Sequence, residues 1–357
     1  MRAMASEYMQ WAKLHSTARF NLATSGVGPF PLAELPVEIG DLEINGPNRY
    51  GYEPLLRAIA AKHDVEPECV VTAAGASMAN YLAMASLVEP GDDVLIEEPA
   101  YELLVSAASN LGATVRRFAR SFEEGYALDP RAVEQALTPR TRLVVVTNLH
   151  NPSSVYTPPD ILRQVGELAR GVGALVLVDE VYLDAMYEDA PESAIRLGEE
   201  FIVTSSLTKM YGVSGLRCGW ILATPELAQR MWRLNDLMGS VAVYMAERVS
   251  YLAMQNLSVL RDRARRVLEL DRKALGAFLA RCPELRTAHA PWGTTCFPRL
   301  PEGDAGDLPR RLREHYETSV VPGRFFDAPR HFRIGMGVDH ERFVAGLARV
   351  EQALRAG

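Results

Sequence analysis

Residues 205–220 read SSLTKMYGVSGLRCGW. Lys209 in this stretch is one of four lysines, with Lys13, Lys62 and Lys273, in a chain of 38 basic residues whose others are all arginine. Where this chain wants a plain positive charge, it uses a guanidinium. A lysine set among serines and glycines asks for something else: an amine that can lose its proton and condense with an aldehyde, which arginine cannot do.

Upstream of that stretch, short apolar runs alternate with helical patterns. The runs are CVVTA (69–73), VLIE (94–97), TVRRF (114–118), LVVVT (143–147), ALVLV (174–178) and FIVTS (201–205), with a seventh at 218–223. Helical patterns fall between them, for example at 76–88 and 158–170. Strands that are apolar on both faces and alternate with helices imply an α/β fold, with a mostly parallel seven-stranded sheet covered by helices. The pattern changes after Pro225. Residues 226–279 read mainly as helix, and the run RDRARRVLELDRK (261–273) reads as a solvated face laced with ion pairs. Beyond it, TTCFPRL and HFRIGMG suggest short strands, and 341–356 a closing helix. The expected division is an arm at 1–40 belonging to the small domain, a large domain at 41–240, and a small α+β domain at 241–357.

Composition narrows the function. Apolar residues are 48% of 357, enough for a substantial core, and the net charge of −7 argues against a nucleic-acid partner. No apolar run approaches a membrane span, and MRAMASEYMQWAKLH lacks a signal-peptide core, so a cytoplasmic enzyme is expected. The four cysteines, 69, 218, 282 and 296, are scattered and are expected to be reduced thiols. The seven histidines show no metal-binding spacing, so no metal is expected.

In open parallel sheets, ligands bind beyond the carboxyl ends of the strands, and the polar signals collect there. Ala74-Gly75-Ala76-Ser77 follows the first run, Asn148-Leu149-His150-Asn151-Pro152 the fourth, Asp179-Glu180-Val181-Tyr182 the fifth, and Ser206-Leu207-Thr208-Lys209 the sixth, with Arg217 further on. Each has a plainer reading. Ser77 suits a helix cap, Asn151-Pro152 a turn, and Arg217 a surface ion pair. Together they describe a ligand. A helix N-terminus with a serine suits a phosphate, and Ser206 and Arg217 add a hydroxyl and a guanidinium fork. A part-buried Asp179 suits a protonated ring nitrogen, and Lys209 an aldehyde. Phosphate, pyridinium and aldehyde occur together in pyridoxal 5′-phosphate (PLP).

At this point the chain resembles the class I/II aminotransferases, the aspartate-aminotransferase-like PLP enzymes of fold type I, over nearly its whole length. Ser206, Lys209 and Arg217 resemble the lysine signature, Asp179–Tyr182 the D-x-x-Y element, Asn151-Pro152 the N-P element, Pro99-Ala100-Tyr101 the loop with a ring-stacking aromatic, and FRIG (332–335) the arginine strand. The resemblance implies a Schiff base on Lys209, which then moves protons. It implies that Asp179 pairs with the ring nitrogen, Tyr182 and Asn151 with the ring hydroxyl, and that Tyr101 stacks on the ring. Ala76, Ser77, Ser206 and Arg217 would hold the phosphate. Arg333 would take the substrate carboxylate, with the backbone of Gly26 nearby. It further implies a homodimer in which Tyr50 or Tyr52, with Tyr50 favoured, reaches the partner's cofactor. The implied activity moves an amino group between an L-amino acid and a 2-oxo acid.

The chain departs from the pattern in two places. The usual N-P-x-G turn is here Asn151-Pro152-Ser153-Ser154, which puts the turn's shape in question. Trp292, beside Gly293, either lines the substrate pocket or packs the small domain. No second arginine suggests itself for a side-chain carboxylate. Two other readings stand beside the aminotransferase. Another fold type I PLP enzyme (a lyase, cyclase or decarboxylase) would use the same cofactor cup. A serine hydrolase would use Ser77 in Gly75-Ala76-Ser77-Met78-Ala79 as its nucleophile, with a histidine from further along the chain.

Overall fold

The computed structural model describes residues 3–301 and 307–356. Seven strands form the large sheet: β1 (Val70–Ala74), β2 (Asp93–Glu98), β3 (Thr114–Ala119), β4 (Thr141–Thr147), β5 (Leu175–Asp179), β6 (Phe201–Ser206) and β7 (Cys218–Leu222). Their spatial order is β1-β7-β6-β5-β4-β2-β3. All neighbours run parallel except at β7, which is antiparallel to both β1 and β6.

The two-sided burial expected of such strands follows from their side-chain period of two. Val144 and Val146 of β4, Val176 and Val178 of β5 and Val203 of β6 enter one core cluster. The alternate residues Leu143, Val145, Leu177 and Ile202 enter a second cluster on the other face. Helices therefore cover both faces. Ala76–Leu87, Pro159–Gly171 and Glu102–Asn110 follow β1, β4 and β2 directly, so each strand's carboxyl end opens onto a helix N-terminus or a loop.

Past the sheet, the expected helical stretch is three helices, Pro225–Asp236, Tyr244–Gln255 and Leu257–Arg281. Thr295–Cys296, Phe332–Gly335 and Val321–Pro322 form a small antiparallel sheet, and His340–Arg355 is the closing helix. Phe20–Asn21 pairs in parallel with Thr318–Ser319, and Gly335 N donates to Leu22 O at 2.7 Å, so residues near 20 are sewn to the C-terminal part.

The arginine run is more than the expected solvated face. Arg261 and Arg265 do pair with Glu188. Arg263, however, donates to Gly28 O and Pro29 O, Arg272 to Gly293 O, and buried Asp271 accepts from Gly337 N and contacts His340. This helix face meets the loops that border the site. Among the described residues, no helix is long and apolar enough to cross a membrane and no side-chain group could hold a metal ion. All four cysteines are unpaired.

Candidate active site

Four strand ends converge on a cavity of about 480 Å³ lined by Ala76, Ser77, Tyr101, Asn151, Asp179, Tyr182, Ser206, Lys209 and Arg217, with Tyr8 and Ser25 to Gly28 from the N-terminal arm. A larger concavity of about 720 Å³ lies around Tyr50, Trp232 and Arg233; it holds none of the strand-end residues, and of the residues expected in the site it holds Tyr50 alone.

At one end of the cavity, β1 stops at Gly75, whose φ of +82° favours glycine, and the helix Ala76–Leu87 begins at the next residue. A Cβ on Gly75 would lie 2.2 Å from Arg217 Nη2. The bare glycine lets the guanidinium lie across the helix N-terminus, where Arg217 donates to Ala74 O at 3.0 Å and Ser214 O at 3.3 Å. Ser206 Oγ, at the end of β6, accepts from Thr208 N at 3.2 Å. Unpaired helix N–H groups, two serines and a guanidinium make a cradle for an anion.

To the same cavity β5 delivers Asp179, 4% exposed. Its Oδ2 accepts from Asn80 Nδ2 at 2.8 Å and its Oδ1 from Val181 N at 3.1 Å. Asn80 is itself held by Thr204, whose hydroxyl donates to Asn80 Oδ1 at 2.5 Å. Burial pushes the Asp179 carboxyl up, and the hydrogen bonds from Asn80 and Val181 and the charge of Lys209 oppose it. A cationic donor in the cavity would complete this carboxylate's surroundings.

Lys209 also lines the cavity, its amine donating to Ser25 Oγ at 2.8 Å. Burial lowers its pKa from 10.5 to about 8; Arg333 and Arg217 add to the shift and Asp179 opposes it. Tyr182 is buried, its phenol pushed up to about 12 chiefly by desolvation. Tyr101 is held by its hydroxyl on Met9 Sδ at 3.4 Å and by an edge contact with Tyr8, ring centroids 5.3 Å apart.

Asn151 Oδ1 accepts from Arg333 Nη1 at 2.9 Å. Arg333 is fully buried and its Nη2 donates to the Tyr8 hydroxyl at 3.1 Å, while Nε has no partner. Arg333 thus stands behind the cavity wall that Asn151 and Tyr8 present. The turn after Asn151 keeps its left-handed residue without glycine: Ser154 has φ +62°, and its hydroxyl is engaged by Thr295 O and Oγ1, both at 2.9 Å. Gly26 lies against Lys209, where an added Cβ would sit 2.8 Å from Lys209 O. Trp292 is off the cavity lining and packs edge-on against Tyr156, so it fills the fold rather than the pocket. Tyr50 is 40% exposed and lies outside this cavity on the outer surface, bonded to Arg233 and Asp236, whereas Tyr52 packs against Tyr244 and Tyr251. Sequence reading passed over Asn80, Ser25 and Tyr8. Asn80, one helical turn after Ser77, was the one with a signal, as an amide in an otherwise small and apolar helix.

The family model for "Aminotransferase class I and II" matches residues 40–350. The chain belongs to this family. The aminotransferase is 32% identical over 358 residues to the capreomycidine synthase of Streptomyces vinaceus, covering 94% of this chain and 90% of that one. A PLP-dependent aminotransferase from Streptococcus suis superposes with a TM-score of 0.93 at 25% identity, over 100% of this chain and 99% of the other. The structure of the PLP-dependent cyclase OrfR superposes with a TM-score of 0.88 at 26% identity, over 100% and 98%. The enzyme is a PLP-dependent aminotransferase of fold type I, transferring an amino group between an L-amino acid and a 2-oxo acid. Its residues fit the cofactor: the Gly75 cradle suits a phosphate, the Asp179 carboxylate a ring N–H, and the Lys209 amine an aldehyde. The hydrolase reading falls with the family assignment, and among the described residues no histidine hydrogen-bonds Ser77; His150 pairs instead with Ser153.

Proposed function

We propose that Lys209 is the amine that carries the cofactor and moves the substrate proton, with Asp179, Tyr182, Asn151, Tyr101 and the Ser77–Ser206–Arg217 cradle, with the Ala76 N–H, holding it. The observation that carries this reading is that the lowered-pKa amine of Lys209 and the buried carboxylate of Asp179 open onto one cavity, with an anion cradle at its end. When bound, PLP supplies an aldehyde for the amino group and a protonated ring that draws electrons from the substrate Cα. Asp179 keeps the ring nitrogen protonated, and its own orientation is set by Asn80 and Val181. Tyr182 and the amide of Asn151 would donate to the ring hydroxyl, and Tyr101 would cover the ring face. Lys209, whose pKa burial lowers to about 8, would be the base that takes a proton from Cα and then gives it back. Arg333 meets the substrate carboxylate, displacing Tyr8 from its Nη2 and satisfying its unpartnered Nε, with the Gly26 backbone nearby.

Donors with a side-chain carboxylate fit poorly, because among the described residues Arg217 is the single arginine on the lining and the cradle engages it. Ring closure, the activity named for OrfR, is the second reading, supported by that likeness. We further propose a cytoplasmic homodimer, with an arm at 1–40, a large domain at 41–240 and a small one at 241–357. Ile39, Ile44, Leu237 and Val243 are 66–89% exposed, on two segments that meet where Asn48 donates to Ala242 O and Arg248 to Asp41. Such a patch on an enzyme surface is suited to a second copy, and Tyr50 lies beside it to reach the partner's phosphate.

The test is the visible spectrum of the purified protein with PLP, titrated with a panel of amino acids. A yellow band that bleaches with particular donors as the matching 2-oxo acids accumulate supports transamination. A band that persists while a cyclic amino acid forms supports ring closure. Absence of any band with excess PLP overturns the Lys209 assignment.

A further inference from the structure

Three consecutive residues of the N-terminal arm each touch Lys209. Val27 N donates to Lys209 O at 2.8 Å. Gly26 lies so close that any side chain would strike the Lys209 backbone, with O at 2.8 Å and Cα at 2.9 Å from an added Cβ. Ser25 accepts from Nζ at 2.8 Å, and among the described residues it is the one hydrogen-bond partner of that amine. The arm that presents Ser25 is anchored on the C-terminal part of the chain: Thr294 Oγ1 donates to Ser25 O at 2.9 Å, Gly28 N to Gly337 O at 2.7 Å and Leu22 N to Ser319 O at 2.8 Å. Ser25 is 8% exposed, so no bulk water competes freely for its hydroxyl. The same hydroxyl sits close enough to the Tyr182 phenol to oppose burial's upward push on it.

An amine at the end of four methylene groups has wide rotational freedom, and a proton transfer needs it in one orientation. Asp179 and the two arginines act on Nζ through charge, which sets its protonation but not its direction. A hydroxyl at hydrogen-bond distance sets direction. We propose that Ser25 is the positioning residue for the Lys209 amine, holding Nζ in the cavity whenever the amine is free. This rests on the reading of Lys209 as the cofactor's amine. No bond to Ser25 is made or broken; its oxygen accepts from Nζ in both the neutral and the charged state, and the proton Lys209 takes from Cα is the one it returns.

The chain's four lysines make the test direct. Protein labelled with ¹³C at lysine Cε and freed of cofactor gives few resonances, and Lys209→Ala identifies the one in question. Ser25→Ala removes the acceptor from the charged amine, so the Lys209 titration midpoint falls by about one pH unit. Arg333, Arg217 and Asp179, the charged groups that act on Nζ, are untouched by the change. In the loaded enzyme, kcat falls about tenfold with KM within a factor of three, because the lost contact is to the lysine and not to the substrate. Ser25→Cys keeps the volume but offers a poor acceptor and behaves like Ser25→Ala; Ser25→Thr keeps the hydroxyl and restores both readouts. An unmoved midpoint with wild-type kcat overturns the proposal, as does a loss that appears in KM alone or that Ser25→Thr shares. If the wild-type protein forms no visible band with PLP, the Lys209 reading itself has failed; a normal band with an indifferent Ser25 removes the positioning role alone.

Discussion

Asn80 donates its amide hydrogen to Asp179 at 2.8 Å, and Thr204 fixes the orientation of that amide by donating to its oxygen. A carboxylate in an apolar strand end is driven toward the neutral form, and this hydrogen bond is the largest influence opposing that drive. Asn80→Leu removes it while keeping the helix. The expected result is a rise in the Asp179 pKa and a fall in kcat of about tenfold or more, with the acid limb of the pH–rate profile moved to higher pH. A profile identical to wild type would mean Asp179 is held ionised by other groups.

Lys209→Ala should fold, bind PLP without the visible band of the wild type, and lose transamination by about four orders of magnitude. Lys209→Arg keeps a positive charge in the same place and should be equally inactive. Activity in the arginine variant would show that charge, not condensation, is what the site requires.

Asp179→Asn keeps the size and one of the two acceptor positions that Asn80 and Val181 use, and loses the charge proposed to pair with the ring nitrogen. Turnover should drop at least a hundredfold while some cofactor is retained, as measured by absorbance after gel filtration. Wild-type rates would remove Asp179 from its assignment.

The pH dependence of stability tests the Lys209 environment in the cofactor-free enzyme. The folded pKa, about 8, lies below lysine's ordinary 10.5, so the folded state binds fewer protons than the unfolded one between those values. Stability therefore rises with pH across that window and is lowest, through this group, below pH 8. Relative to Lys209→Ala, the wild type should gain on the order of 1 kcal/mol between pH 7.5 and 10 in urea unfolding, cavity water offsetting part of the shift. A flat difference would mean that the amine is freely hydrated.

Ser154 holds a left-handed conformation and spends its hydroxyl on Thr295, 141 residues away. Ser154→Ala keeps the conformational cost and loses the bonds, for an expected loss of about 1–2 kcal/mol. Ser154→Gly loses the same bonds but relieves the φ, so it should be less destabilising by thermal unfolding. A larger loss for glycine than for alanine would show that glycine's added freedom in the unfolded chain outweighs the relief at φ.

The strand and helix order was legible because it depends on neighbours in sequence. Runs such as LVVVT and ALVLV became β4 and β5 within two residues of their expected bounds. The polar strand ends were legible for the same reason, since a parallel sheet puts all its carboxyl ends, and hence Ser77, Asn151, Asp179 and Lys209, on one edge. The helix Glu7–Leu14 went unread, although Ser6 caps it by accepting from Met9 N and Tyr8, Met9 and Ala12 share the face that lines the site, because two turns are too short for a period to stand out in sequence.

By itself, then, the sequence determined the alternating architecture and the collection of polar residues at the strand ends, and it set the expectation of an amine at residue 209 in an arginine-rich chain. Tertiary structure alone decided which groups complete that chemistry. Asn80 meets Asp179 across 99 residues, Ser25 meets Lys209 across 184, and Tyr8 meets Arg333 across 325. No local propensity encodes such pairs. They exist because the sheet, the N-terminal arm and the C-terminal strand Phe332–Gly335 close around one cavity, where a polar side chain removed from water must find its partner from whatever the folded chain brings within reach.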